Sequence, residues 1–130
     1  MSHHTVLFVD DEVNILRALQ RLLRSEPVTL LTASSPKQAL ALVETEDIQV
    51  VVTDQRMPEM TGVDLLSTIR ERSPNIVRML MTGYTEMTIA VEAINRGEIF
   101  RLITKPWNDE ELRATLRQAL DHYHLKGEIK

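Results

Sequence analysis

Val50-Val51-Val52-Thr53-Asp54-Gln55-Arg56-Met57-Pro58 reads as a strand buried on both faces that stops at a carboxylate. An unbroken β-branched apolar run suits the centre of a parallel sheet with helices on both sides, because no residue in it faces water. The strand is predicted over 49–53. Three other apolar runs, at 6–9, 79–81 and 100–103, end in the same way, before Asp10-Asp11-Glu12, Thr82-Gly83 and Lys105-Pro106. In an open parallel sheet the loops at the carboxyl ends of the strands lie together and form the site. Three carboxylates, a hydroxyl and an ammonium are therefore expected to converge on one pocket.

Between the runs lie amphipathic stretches, so that strand and helix alternate five times. Strands are predicted over 5–9, 28–32, 49–53, 76–81 and 99–104. The first helix carries Ile15, Leu16, Leu19, Leu22 and Leu23 on one side. The second opens with Ser35 as N-cap, Pro36 at the first position and Gln38 placed for a capping box. The third, over 63–71, turns Leu65, Leu66 and Ile69 inward, and the fourth has Met87, Ala90, Val91 and Ile94 at helical spacing. The last starts at Asn108, with Glu111 three residues on, and buries Leu112, Leu116, Leu120 and Tyr123.

The fold class is α/β, a five-stranded doubly wound parallel sheet. Right-handed crossovers restrict the strand order, and 2-1-3-4-5 is common for a sheet of this size. That order makes neighbours of the four strands that end in polar residues. It leaves at one edge the strand ending in Ala33-Ser34-Ser35, which brings nothing ionisable. One domain is expected over 1–125, with 126–130 a frayed end or the start of a linker.

A chain of 130 residues with a net charge of -4 and no basic cluster does not offer nucleic acid a direct binding surface. It contains no cysteine, so disulfides and thiolate metal sites are impossible, which suits a reducing compartment. No apolar run approaches bilayer-spanning length, and no signal-peptide pattern opens the chain. A cytoplasmic location without membrane contact is the expectation.

One Asp near a helix start would be explained by the macrodipole. Two in succession after a buried strand, with a third close by, need more. Like charges about 4 Å apart repel by roughly 4 kcal/mol at an effective dielectric near 20. A cation relieves that, and few protein oxygen ligands plus phosphate suit Mg²⁺. Asp10, Asp11 and Asp54 are the candidate metal residues. Asp54, central and beside Lys105, can also attack phosphorus and form an acyl phosphate, while Mg²⁺ clamps a phosphoryl oxygen. Thr82 can donate to a phosphoryl oxygen, Gly83 leaves room for the backbone to approach, and Lys105 supplies a point charge for phosphate. His3 and His4 fall in an amino terminus expected to be mobile. His122 and His124, two apart, do not share a helix face. Trp107 is expected to pack at the start of the last helix.

These strings together resemble the receiver domain of two-component response regulators over essentially the whole chain. They are Phe8-Val9-Asp10-Asp11-Glu12, Thr53 to Pro58 with Gly62 following, Met81-Thr82-Gly83-Tyr84 and Thr104-Lys105-Pro106-Trp107. The resemblance implies the flavodoxin-like receiver fold and a signalling switch rather than a turnover enzyme. A histidine kinase or phosphotransfer protein would phosphorylate Asp54. Mg²⁺ would be bound by Asp11, Asp54 and the backbone carbonyl of Arg56, with Asp10 acting mainly through water.

The resemblance further implies that Thr82 swings toward the acyl phosphate, that Lys105 pairs with it, and that the Lys105–Pro106 peptide is cis. Arg56 and Tyr84 would tune the phosphoryl lifetime. The signal would leave through the face formed by helix 4, strand 5 and helix 5, toward an output domain, a partner protein or a second copy in a homodimer; Glu92, Arg96, Arg101 and Trp107 lie there. Many receivers carry an aromatic switch three residues before the strand 5 lysine, where this chain has Leu102. Packing of Leu102, or a nearby group such as Phe100, would replace it. Three of the strings also resemble receivers joined to HD-GYP phosphodiesterases or to hydrogenase-type regulators.

Other classes fit less well. Mg²⁺-dependent phosphatases with an Asp nucleophile place it after strand 1 and add a capping domain, whereas here the nucleophile follows strand 3. A flavin module would need a phosphate loop where this chain has Asp-Asp-Glu. A degenerate receiver, acting only as a phosphorylation-independent binding module, is opposed by the complete polar set and kept open by Leu102.

Overall fold

The computed structural model describes residues 4–96 and 98–129, without the side chains of 84 and 126–129. The elements in chain order are β1 (Thr5–Val9), α1 (Val13–Leu22), β2 (Thr29–Ala33), α2 (Pro36–Thr45), β3 (Val50–Asp54), α3 (Gly62–Arg72), β4 (Val77–Thr82), a 3₁₀ turn (Tyr84–Glu86), α4 (Met87–Asn95), β5 (Arg101–Thr104) and α5 (Asp109–Ile129). All strand pairs are parallel and the order is β2-β1-β3-β4-β5, the order expected from the sequence.

Alternation of side chains along the strands builds two cores. Leu7, Val9, Val51 and Leu80 face α2, α3 and α4, where Ala39, Val43, Leu65, Leu66, Ile69, Ala90 and Ala93 cover them. Val6, Phe8, Val50, Val52, Met79 and Met81 face α1 and α5, beneath Leu16, Leu19, Leu112, Leu116, Ala119 and Leu120. Tyr123 is only half-buried, and Ala119 takes the fully enclosed place on α5.

Strands β2, β3 and β4 sit one residue later than predicted, β1 falls where expected, and β5 starts at Arg101 instead of at 99. Asp54 is the last residue of β3 and Thr82 the last of β4, because Asp54 pairs with Met81 and Thr82 with Thr104. Both functional groups thus sit on the sheet instead of in loops. The helix starts follow capping chemistry. Ser35 accepts from the Gln38 amide at 3.1 Å, but Gln38 reciprocates one residue earlier than in the usual box, accepting from the Ser34 N–H at 2.9 Å. Asn108 caps α5 through the Glu111 amide. Thr61, overlooked in the sequence, caps α3 through the Asp64 amide.

Two expectations are corrected. Helix α4 does not bury its apolar spacing: only Ala90 and Ala93 go inside, while Val91 and Ile94 are 45% and 37% exposed. The wide residues are excluded because the alanines bring the helix backbone down onto the sheet. His4 is not loose either. Its carbonyl accepts from Thr29 at 2.9 Å, and its ring meets that of His124 edge-on at 5.2 Å. His122 instead stacks on Phe100 at 4.5 Å, so the two histidines of α5 point to different neighbours. The backbone of α5 continues to Ile129.

At the end of the sheet remote from the polar loops, fully buried Gln49 accepts the Thr5 N–H at 2.8 Å and donates to Asp47 at 3.1 Å. An isosteric apolar residue would leave that N–H buried and unpaired. Gln49→Leu is therefore expected to cost about 1–3 kcal/mol, read as a lower urea midpoint with an unchanged slope.

Candidate functional site

Backbone ladders carry the polar residues to one end of the sheet. The Asp10 amide donates to Ala33 on β2 at 3.1 Å, Gln55 to Met81 on β4 at 3.2 Å, and Lys105 to Thr82 on β4 at 2.9 Å. Each loop therefore leaves its strand while still hydrogen-bonded to the neighbour. The result is an open cleft of about 590 Å³ lined by Asp11, Asp54, Arg56, Thr82, Gly83 and Lys105 among others.

Lys105 is the hub. Its Nζ lies 3.2 Å from Asp10 Oδ2 and 3.2 Å from Asp54 Oδ1. The second Asp10 oxygen accepts from the Glu12 amide at 2.9 Å, closing the turn into α1. Asp10 is fully enclosed, Asp54 is 7% exposed at the cleft floor, and Asp11 faces solvent. Ligand atoms of Asp10, Asp11 and Asp54 lie within 4.8 Å of one another. This donor set, all oxygen with one face open, fits a hard divalent cation that keeps several waters. The Lys105–Pro106 peptide is cis. Thr82 is enclosed, and its hydroxyl donates to the Gly83 carbonyl at 3.3 Å rather than toward Asp54.

Burial raises the Asp54 pKa above its ordinary value, and the Asp10 charge adds to this; Lys105 and the Gln55 amide counter without prevailing. For Lys105, burial pulls downward, but the charges and hydrogen bonds of Asp10 and Asp54 outweigh it and raise the pKa. The two signs have opposite consequences. Lys105 stabilises the fold below about pH 10.4 and loses that contribution as pH rises through its folded value. Asp54 destabilises the fold above its raised folded pKa, and the penalty vanishes below about pH 3.9.

Several supports escaped the sequence reading. Gln55 is 4% exposed, and its Oε1 accepts from the Val63 amide at 3.0 Å while its carbonyl accepts from Gly62 at 3.0 Å. One buried amide side chain thus folds the loop from β3 back onto α3. Gly62 is required there, since a Cβ would overlap the Asp54 carbonyl oxygen and crowd Leu80. Arg56 reaches across the cleft mouth, and its Nε donates to Glu86 Oε1 at 3.0 Å. No spacing rule links positions 56 and 86, so only the folded loops show the pair.

The residues expected at the output face divide. Leu102 is half-buried, opposite Leu80 and packed against the core that includes Ala90 and Ala93. Phe100 packs on the opposite core, toward α5. Glu92, Arg96 and Arg101 are exposed, and Trp107 is half-buried with its Nε1 donating to Asp109 at 3.2 Å. The Tyr84 side chain lies outside the described residues. No described helix is long and apolar enough to cross a membrane.

Residues 6–117 match the model of the response regulator receiver domain family. The chain is 42% identical over 125 residues to the hydrogenase transcriptional regulatory protein HoxA of Cupriavidus necator, covering 96% of this chain and 26% of that protein. It is 38% identical to the transcriptional regulatory protein ZraR of Escherichia coli K12, covering 95% of this chain and 28% of ZraR. Among solved structures, the signal receiver domain of an HD domain-containing protein from Pseudomonas fluorescens Pf-5 superposes with a TM-score of 0.91 at 39% identity, covering 98% and 95% of the two chains. The chain belongs to the response regulator receiver domain family, and its fold is the CheY-like, flavodoxin-like one. It spans about a quarter of the length of the curated regulators it matches.

In metal-free protein at pH 7, Asp54→Asn is expected to raise the Tm, and the difference from wild type to shrink as pH falls toward 4. A lower Tm for the variant at pH 7 would contradict the buried-charge penalty. Lys105→Met leaves Asp10 enclosed without its cation and is expected to cost about 2–3 kcal/mol, somewhat below the range for a fully buried pair.

Proposed function

We propose that this receiver domain is a phosphorylation switch in which Asp54 is the acceptor. The observation that carries the reading is the near-buried Asp54 carboxylate on the floor of an open cleft, 3.2 Å from the Lys105 ammonium. An Asp54 oxygen attacks phosphorus of a phosphohistidine on a kinase or phosphotransfer protein; the P–N bond breaks and the imidazole leaves with its electron pair. Lys105 holds the acceptor oxygen and then pairs with the new phosphoryl group. Phosphoryl transfer asks mainly for positioning and charge neutralisation, which suits this small polar set.

Asp11, Asp54 and the Arg56 backbone carbonyl would hold Mg²⁺, with Asp10 acting through water, and the ion would neutralise phosphoryl charge. The phosphoryl group adds roughly -1.5 to -2 charges and three acceptor oxygens. Thr82 is then offered an acceptor better than the Gly83 carbonyl. Its rotation empties space between β4 and α4, into which half-buried Leu102 and α4 can repack. The α4–β5–α5 face thereby passes the state of Asp54 to an output domain, a partner protein or a second copy. Arg56 and Tyr84 would tune the phosphoryl lifetime. The domain takes up and loses its own phosphoryl group without turning over a separate substrate.

Intact mass after incubation with acetyl phosphate and Mg²⁺ should show one phosphoryl adduct on wild type and none on Asp54→Asn. An adduct surviving in the variant would remove Asp54 from its role, and none on wild type would favour a binding module that works without phosphorylation. In a Mg²⁺ titration, Asp11→Ala should weaken binding about tenfold or more; unchanged affinity would count against the metal set.

A further inference from the structure

An ion pair at the cleft mouth joins the loop after β3 to the start of α4: Arg56 Nε to Glu86 Oε1 at 3.0 Å. Both residues line the same cleft as Asp54. We propose that Glu86 is a positioning residue, holding the Arg56 guanidinium on the α4 side of the cleft until a phosphoryl group on Asp54 draws it away. The inference rests on Asp54 as the phosphoacceptor and adds a gate to that site.

The competition follows from charge and geometry. Arg56 is two residues from Asp54, and its side chain is 75% exposed, so it can move without disturbing packing. Glu86 offers one negative charge, whereas a phosphoryl group carries roughly -1.5 to -2 and accepts the guanidinium fork in two parallel bonds. Glu86, 20% exposed, stands at the N-cap of α4, so the positive end of the helix remains beside its carboxylate when Arg56 leaves. The Arg56 end of the pair is 75% exposed and screened by solvent, so the latch is weak and its removal can shift a rate by no more than about fivefold. Before phosphorylation it ties α4 to the loop after β3. Afterwards that tether is gone, at the same residue where the helix begins.

The test is a double-mutant cycle on the intact chain, following phosphorylation by acetyl phosphate with Mg²⁺ and then loss of the phosphoryl group. Glu86→Gln should phosphorylate two- to fivefold faster than wild type, because Arg56 is freed to meet the incoming anion. In the Arg56→Met background, Glu86→Gln should make no difference. Dephosphorylation should stay within twofold of wild type in Glu86→Gln, since the latch is already open in that state; a general loosening of the site would change both rates. An equal acceleration in the Arg56→Met background would reduce Glu86 to bulk repulsion of anions and overturn the proposal. So would a Glu86→Gln rate equal to wild type. A wild-type chain that takes no phosphoryl group at all would instead sink the parent reading of Asp54, and this one with it.

Discussion

The site depends on a single cation placed between two carboxylates. Lys105 Nζ at 3.2 Å from both Asp10 and Asp54 lets a fully enclosed aspartate and a near-buried one coexist at the ends of adjacent strands. Without it, the carboxylates of β1 and β3 would repel in a region of lowered dielectric. The ammonium follows β5, three places from β1 in the sheet order, so the ion pair also fastens an edge strand to the centre. The same charge has a second use in the proposed reaction. A group that neutralises the empty pocket can transfer its pairing to an incoming phosphoryl group without moving far.

The strand ends that carry these three residues are fixed by backbone bonds. The amides of Asp10, Gln55 and Lys105 each donate across to the neighbouring strand, so the loops depart from fixed points. The longer loop between β3 and α3 is folded by the Gln55 side chain and by the missing side chain at Gly62. A rigid floor with adjustable loops above it is what a chemically driven switch needs, since strain at the floor would blur the two states.

Much of this was legible in the sequence, and the reason is periodicity. Runs such as 50–52 and 79–81 can be buried on both faces only in a parallel sheet, and the polar residues that end four of the runs must then meet. The strand order followed from the right-handed crossovers and the size of the sheet, and it agreed with which strands carried those residues. What could not be read depended on approach in three dimensions. Gln55 looks like any polar turn residue until the Val63 amide is found beside it. Arg56 and Glu86 are separated by 30 positions, with no pattern to join them. Met87, Ala90, Val91 and Ile94 stand at helical spacing, but spacing alone does not say which of them the helix turns inward. Small Ala93 decided it by permitting closer contact than Val91 or Ile94 could. His4 looked like tail because nothing in a sequence marks a carbonyl that extends a sheet by one more bond.

The way α4 sits on the sheet has a mechanical corollary. Its enclosed side chains are Ala90 and Ala93, whereas α3 encloses Val63, Leu65, Leu66 and Ile69. At about 0.8 kcal/mol per buried methylene, an alanine anchors a helix far less firmly than a leucine. Alanines also lack knobs that would lock a register, so a helix resting on them can slide or turn by a fraction of a residue while losing few contacts. Among the helices flanking the cleft, α4 is thus the one fitted like a plain bearing, and a stimulus of a few kcal/mol is large on the scale of its seat.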